Sequence, residues 1–320
     1  MSLLPVEPAH RLAACSEERR WLIEELWADE AVGIVGGEPK CCKSFLALDM
    51  AVAVASGTPC LRRFAVPRPG RVLLYAAEDA LHVVRSRLDG ICHAAGLELA
   101  GLDVQVITAP ALRLDQEEDR ARLAETVAAL RPRLLVLDPF VRLHRIDENV
   151  SGEVAPLLAF LRELQRRHQL AVLVVHHARK GAGRLRAGQA LRGSSEFHAW
   201  GDSNLYLRRI GEQLTLSVEQ RAAASIAAIQ IELRSAGEAL ALGIVERSGA
   251  DHLAAETSRP APQPAERVEL ALAEAEAPMT VAKLRKICRI RTATLCEILA
   301  DLARDGRVRR TAAGYLAADR

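Results

Sequence analysis

The stretch from Ala31 to Gly57, AVGIVGGEPKCCKSFLALDMAVAVASG, constrains the fold more than any other part of the chain. A β-branched run (Val32, Ile34, Val35) meets Gly36-Gly37, and Glu38, Pro39, Lys40, Cys41, Cys42, Lys43 and Ser44 lead into an apolar helix read as opening at Phe45. Strand, glycine turn, Lys-Ser and helix N-terminus are the parts of a phosphate-binding P-loop. Backbone N–H groups and the helix dipole hold phosphate in such a loop. Gly37 through Phe45 are therefore the candidate nucleotide-binding residues. Lys43 reaches the β- and γ-phosphates of ATP, and the Ser44 hydroxyl ligates Mg²⁺. The pattern G-x-x-x-x-G-K-[ST] asks for glycine where Cys42 stands; the alternative reading is a glycine turn with a chance Lys-Ser.

Further strand–helix alternation follows. Buried strands are expected at 71–79 (RVLLYAAED), 104–108, 134–138 (LLVLD) and 171–175 (AVLVV), with helices over 80–95, 117–130 and 153–168. This alternation predicts an α/β fold with a mainly parallel sheet flanked by helices. After Trp200 the pattern changes to short strands without helices (SNLYLRR, QLTLSVE, IQIEL, LALGIVE), an antiparallel extension of the sheet. Trp21, Leu22, Leu26 and Trp27 fall on one side of a helix expected from about Ser16 to Asp29.

The composition near 248–266 shifts to Ala, Pro, Ser and Glu, as in a linker. Beyond it, helices are expected over 267–276, over VAKLRKIC capped by Thr280, and from Thr292 to near Gly306, followed by two short strands around 312–314. Three helices and a hairpin make a winged helix-turn-helix. Its basic residues gather on the second helix, the turn and the wing, which suits phosphate contacts with DNA. Arg291 and Thr294 begin the recognition helix, and Arg309 and Arg310 lie in the wing. A protein-docking role for this unit is the alternative. The chain thus divides into an N-terminal helical segment (1–30), an ATPase domain (31–248), a linker (249–265) and the winged helix (266–320).

Net charge is +2, too close to zero to name a partner. Seven cysteines without a C-x-x-C pair give no zinc spacing and no disulfide framework, which reads as a reducing cytoplasm. The start MSLLPVEPAHR lacks a signal-peptide pattern, and no apolar run is long enough to span a bilayer, so no membrane partner is expected.

A P-loop enzyme needs a second Mg²⁺ carboxylate at the end of a buried strand, and Asp138 closes LLVLD. The alternative for Asp138 is a cap on the turn before Pro139. A base for the attacking water is also needed. Glu78 ends a strand at the carboxyl edge of the sheet, where open α/β folds bind ligands; its alternative is a solvated surface acid. His176 and His177 end a third strand, and one of them is placed to sense the γ-phosphate. The loop at 181–193, rich in Gly and Arg, is either a nucleic-acid contact in a central channel or a solvated surface loop.

Taken together, GGEPKCCKS, LLYAAED, LLVLDPF, the DEN at 147–149, VVHHARK, RGSSEF and VEQRAA resemble the RecA-like ATPases of the plasmid hexameric replicative helicase (RepA-like) group, from about Trp21 to Arg221. The resemblance implies a ring, commonly of six copies, with ATP at each interface. It implies that Lys43 and Ser44 bind nucleotide, Asp138 holds Mg²⁺, Glu78 is the base, and His177 or His176 is the sensor. It also implies an arginine finger from the neighbouring copy: Arg221 in VEQRAA matches best, with Arg192 in RGSS as runner-up. The expected function is an ATP-driven, helicase- or translocase-like motor on DNA. Two rivals stand beside it. One is an ATP switch that loads a recombinase, transposase or replication protein; the other is a nucleotide-gated DNA-binding regulator with negligible turnover. The missing P-loop glycine and the added tail are the two departures from the family pattern.

Overall fold

The computed structural model describes residues 6–11, 20–177, 196–211, 213–224, 226–236, 239–245, 264–273, 275, 277–288, 292–311 and 313–317. The chain divides into two compact units, Met1–Val245 and Glu246–Arg320.

The larger unit is built on a nine-stranded sheet. In chain order the strands of this unit are β1 (Trp21–Ile23), β2 (Trp27–Ala28), β3 (Val32–Gly37), β4 (Val72–Ala76), β5 (Val104–Val106), β6 (Leu134–Asp138), β7 (Ala171–His177), β8 (Ser203–Ile210), β9 (Gln213–Gln220), β10 (Ile229–Ala236) and β11 (Ala239–Ile244). The helices are α1 (Lys43–Ser56), α2 (Leu81–Ala94), α3 (Glu117–Leu130), α4 (Ser151–His168) and α5 (Glu196–Trp200). The sheet order is β11-β10-β9-β8-β3-β7-β6-β4-β5. From β8 to β5 every pairing is parallel, and β9, β10 and β11 extend the sheet antiparallel beyond β8.

The parallel strands are near-continuous Val/Ile/Leu because helices cover both faces. Side-chain alternation splits each strand between two cores. Val72 and Leu74 face the cluster that contains α1 and α2, while Leu73 and Tyr75 face the one that contains α3, α4 and α5. No helix among the described residues is long and apolar enough to cross a membrane.

The N-terminal segment departs from expectation. Trp21–Ala28 is an antiparallel hairpin, β1 with β2, not a helix. Glu25 turns the chain at φ 61°. Leu22, Ile23, Leu26 and Trp27 are fully buried in the α1/α2 core, so the apolar spacing serves a tight turn that sinks both arms. Helix α1 also opens at Lys43, two residues before the expected Phe45.

One acid interrupts the apolar run of α1. Asp49, 2% exposed, accepts hydrogen bonds from the Leu61 backbone N–H (2.7 Å) and from Arg62 Nη2 (2.7 Å). Cys60 Sγ donates to it at 3.4 Å, and Arg62 also donates to the Leu242 carbonyl on β11. A buried carboxylate persists only with such partners. It pins the 60–62 turn, where Leu61 and Arg62 both have positive φ, against the middle of α1.

The smaller unit consists of α6 (Pro264–Ala273), α7 (Val281–Cys288), α8 (Thr292–Arg304) and the antiparallel hairpin of β12 (Val308–Thr311) and β13 (Gly314–Ala317). Thr280 caps α7, accepting from the Lys283 N–H at 3.3 Å. Its own core includes Val268, Leu272, Leu284, Leu295 and Leu299.

Candidate nucleotide site

The site forms where β3, β4, β6 and β7 reach their carboxyl ends. β3 runs into the loop before α1, and Gly37 fits there because nothing larger does. A Cβ on it would lie 2.4 Å from the Leu207 carbonyl oxygen and 2.6 Å from Cys41 Sγ. Within the loop, Lys40 and Cys42 both take φ 64°, with Cys41 between them outside that region. Alternation of hand along successive residues turns backbone N–H groups inward into an anion-binding concavity. Cys42 is the N-cap of α1 and makes no side-chain capping bond, so the first-turn N–H groups face the loop uncapped.

Cys42 therefore adopts the left-handed conformation (φ 64°, ψ 26°) that glycine reaches without strain. Its thiol is the acceptor of an Arg209 Nη2 contact at 3.7 Å. Replacing Cys42 with glycine removes about 1–2 kcal/mol of left-handed strain and adds about 0.5–1 kcal/mol of chain entropy cost. The melting temperature should barely move while ATP binds equally or more tightly. Calorimetric titration checks this; a large loss of affinity would mean that the thiol is part of the binding geometry.

Lys43 is buried, and its ammonium donates to the Gly37 (3.1 Å) and Glu38 (2.8 Å) carbonyls across the mouth of the loop. Burial pulls its pKa down, against the pull of Cys41, Asp138 and Glu78, which favour the charge. Cys41 is buried with its thiol on the Glu38 carbonyl (2.8 Å), and burial pushes that thiol up.

Asp138, at the end of β6, is 8% exposed and is hydrogen-bonded by Ser44. Desolvation pushes its pKa up to about 6, with the Ser44 bond working the other way. A hydroxyl and a carboxylate side by side at a loop that binds anions form the hard-oxygen donor set that Mg²⁺ takes, with phosphate oxygens and water to complete it. The residues present fit that ion.

A cleft of about 330 Å³ gathers Lys40–Phe45 with Glu78, Asp79, Arg87, Asp138 and His177. Glu78 follows β4, and its carboxylate accepts from Arg142 Nε at 2.9 Å. The two histidines part company because they alternate along β7. His177 lines the cleft. His176, 1% exposed, is stacked on Phe197 of α5 (centroids 4.2 Å, 19°) and meets Phe140 edge-on.

Arg221 stands elsewhere. β9 pairs Gln220 with Ser203, and β8 pairs Ser203 with Gly33 at the start of β3, so Arg221 lies at the sheet edge opposite the P-loop. Its guanidinium bonds Asp202 (3.1 Å) and the Ala199 carbonyl. Arg192 and Arg291 lie outside the described residues. Thr294, Arg309 and Arg310 are exposed on the smaller unit. Sequence reasoning missed Arg87, Arg142 and Asp202. Each meets its partner only through the fold, and nothing in the local pattern marks it.

Among solved structures, the crystal structure of the RadB recombinase is similar, with a TM-score of 0.50 and 17% identity over 68% of this chain and 92% of that one. The likeness is one of fold, a RecA-like α/β core with a mostly parallel sheet flanked by helices. A family model described as the AAA domain matches residues 2–183 and takes in the loop, Glu78, Asp138 and both histidines. Matched over more than half its length and carrying the P-loop where that fold needs it, this chain belongs to the AAA domain family of P-loop ATPases.

Proposed function

We propose that the protein is an ATP-hydrolysing motor that works on DNA as a ring of copies, of the hexameric replicative helicase type its motifs resemble. The observation that carries this reading is the convergence of Lys43, Ser44, Asp138, Glu78 and His177 on one cleft. The Lys40–Ser44 backbone and the Lys43 ammonium bind the triphosphate. Ser44 and Asp138 would hold Mg²⁺, which when bound would neutralise charge on the triphosphate. Glu78 orients the attacking water and accepts its proton, and His177 contacts the γ-phosphate. Arg221, too far from its own P-loop, serves the nucleotide of a neighbouring copy. The RadB neighbour is titled a recombinase, and a DNA-directed role here agrees with it.

The smaller unit is read as a winged helix that recruits the ring to DNA. Arg309 and Arg310 are exposed on β12, with the Arg310 guanidinium over the Tyr315 ring at 6.0 Å. Removing 266–320 is expected to leave a folded ATPase while weakening duplex binding and flattening its salt dependence, since each lost phosphate contact lowers the slope by about one. Arg309→Ala with Arg310→Ala should weaken all sequences alike, whereas changes at Arg291 or Thr294 should alter sequence preference. Unchanged affinity and salt slope after the deletion would make the unit a protein-docking module.

The experiment for the whole reading is phosphate release with and without DNA, paired with unwinding of a forked duplex. DNA-stimulated hydrolysis with unwinding supports the motor. Stimulated hydrolysis without unwinding or translocation favours the loader of a recombinase, transposase or replication protein. Binding of ATP with negligible turnover favours the nucleotide-gated regulator.

A further inference from the structure

Glu78 lines the cleft with its side chain 42% exposed. A glutamate so placed has rotamer freedom to lose before its carboxylate points in one direction. Among the described residues one side chain bonds it: Arg142 Nε donates to Glu78 Oε1 at 2.9 Å.

The Arg142 side chain is exposed, but the backbone that carries it is firmly held. Register pairs Ala76 of β4 with Asp138 of β6, and the Ala77 N–H donates to the Asp138 carbonyl at 2.7 Å. Glu78 and Arg142 therefore leave neighbouring strands that stay bonded up to the point of departure. Beyond Pro139 the chain makes one 3₁₀ turn, Phe140–Arg142. Phe140 is fully buried in the core that contains α3, α4 and α5. Its ring lies 4.6 Å from that of His144 and meets Phe197 edge-on at 5.2 Å and His176 at 6.2 Å. Leu143, also fully buried, closes the turn with its N–H on the Phe140 carbonyl at 2.8 Å. The arginine thus reaches Glu78 from a turn that is clamped on its inner side.

We infer that Arg142 is a positioning residue for Glu78: anchored through Phe140, it takes Oε1 and aims the other carboxylate oxygen at the attacking water. This rests on the reading of Glu78 as the base. A base works only within hydrogen-bond reach of its proton, and a misplacement of about 1 Å can cost about 10²-fold in rate. The contact uses a single guanidinium N–H, so the role calls for one donor at that point and not for a planar fork.

The test is a double-mutant cycle between Arg142 and Glu78 in the full chain. It is read by single-turnover hydrolysis, by equilibrium binding of ATP with Mg²⁺, and by binding of a single-stranded DNA oligonucleotide. Arg142→Ala is expected to slow hydrolysis about tenfold to a hundredfold, with ATP and DNA affinities unchanged. In the Glu78→Gln background the same change should slow it by less than about twofold, because an arginine that acts through the base has nothing left to aim. Arg142→Lys, which supplies one donor, should recover most of the loss. The Arg142 side chain is 61% exposed, so both variants should fold. An equal slowing in both backgrounds would overturn the positioning role, as would no slowing, lysine no better than alanine, or a loss of ATP or DNA affinity that accounts for the rate. Wild-type protein without turnover, or Glu78→Gln at near wild-type rate, overturns the base reading and the positioning role with it. A slow Glu78→Gln variant beside a normal Arg142→Ala variant overturns the positioning role alone.

Discussion

Glu78→Gln protein is expected to bind ATP about as well as the wild type and to release phosphate about 10²–10⁴ times more slowly, the usual weight of a positioned general base. Glutamine keeps the length and shape of the side chain and still offers an oxygen to Arg142, which holds the native carboxylate at 2.9 Å. What it loses is the ability to take a proton from water. The neighbouring Asp79 is poorly placed to substitute, because both of its oxygens are engaged by Arg87. Single-turnover hydrolysis alongside equilibrium binding separates the two effects. Near wild-type turnover in this variant would place the base elsewhere in the cleft. Lys43→Ala gives the contrasting pattern, with loss of nucleotide binding itself, since its ammonium is the cation of the loop.

The second large effect is expected at Arg221. Alone, Arg221→Ala should lose about 10³-fold or more in turnover, as removal of an arginine finger does. The defect should be rescued in mixtures. Protein carrying Arg221→Ala, mixed with protein carrying Lys43→Ala, contains interfaces that pair an intact P-loop with an intact finger. Each variant by itself contains none. Within one copy Arg221 lies too far from the P-loop to act on the nucleotide bound there. Gly33, opposite the start of β8, and Gly37, at the P-loop, are separated by about 13 Å of strand. In its own subunit the Arg221 guanidinium is occupied by Asp202 and the Ala199 carbonyl, so a second effect of the mutation is to loosen α5. Thermal melting measures that separately, and a folding defect cannot be complemented by mixing. Mixtures that never exceed either parent while subunits still exchange would remove the finger, as would a monomer with full activity.

The parallel part of the fold was legible because strands buried on both faces cannot hide: VLLYA, LLVLD and AVLVV are uninterrupted apolar runs. The same logic placed Glu78, Asp138 and the His176–His177 pair at one edge, since each directly follows or ends such a run. Periodicity failed at Trp21–Ala28. There, two short arms around Glu24-Glu25 repeat their apolar residues at a spacing that suits a helix as well as a hairpin. Only the φ of Glu25 and burial on both arms distinguish them. The odd P-loop was legible as a departure but not as a solution. The pattern's demand for glycine at that position is met by Cys42 in glycine's left-handed conformation. Which histidine faces the cleft was decidable only from the register of β7. Arg87, Arg142 and Asp202 act through partners brought to them by other elements, and a linear pattern carries no record of such meetings.

The carboxylate in the middle of α1 has a mechanical consequence. Asp49 fastens the helix to the 60–62 turn, and through Arg62 to the carbonyl of Leu242 on β11. Five residues separate this rivet from Lys43, so only the first turn and a half of α1 lies between the phosphate cradle and a fixed point. The helix behind the P-loop is therefore an anvil and not a piston. In the motor proposed above, work done by the nucleotide would be delivered through the strand ends that carry Glu78, Asp138 and His177, with α1 as the fixed part.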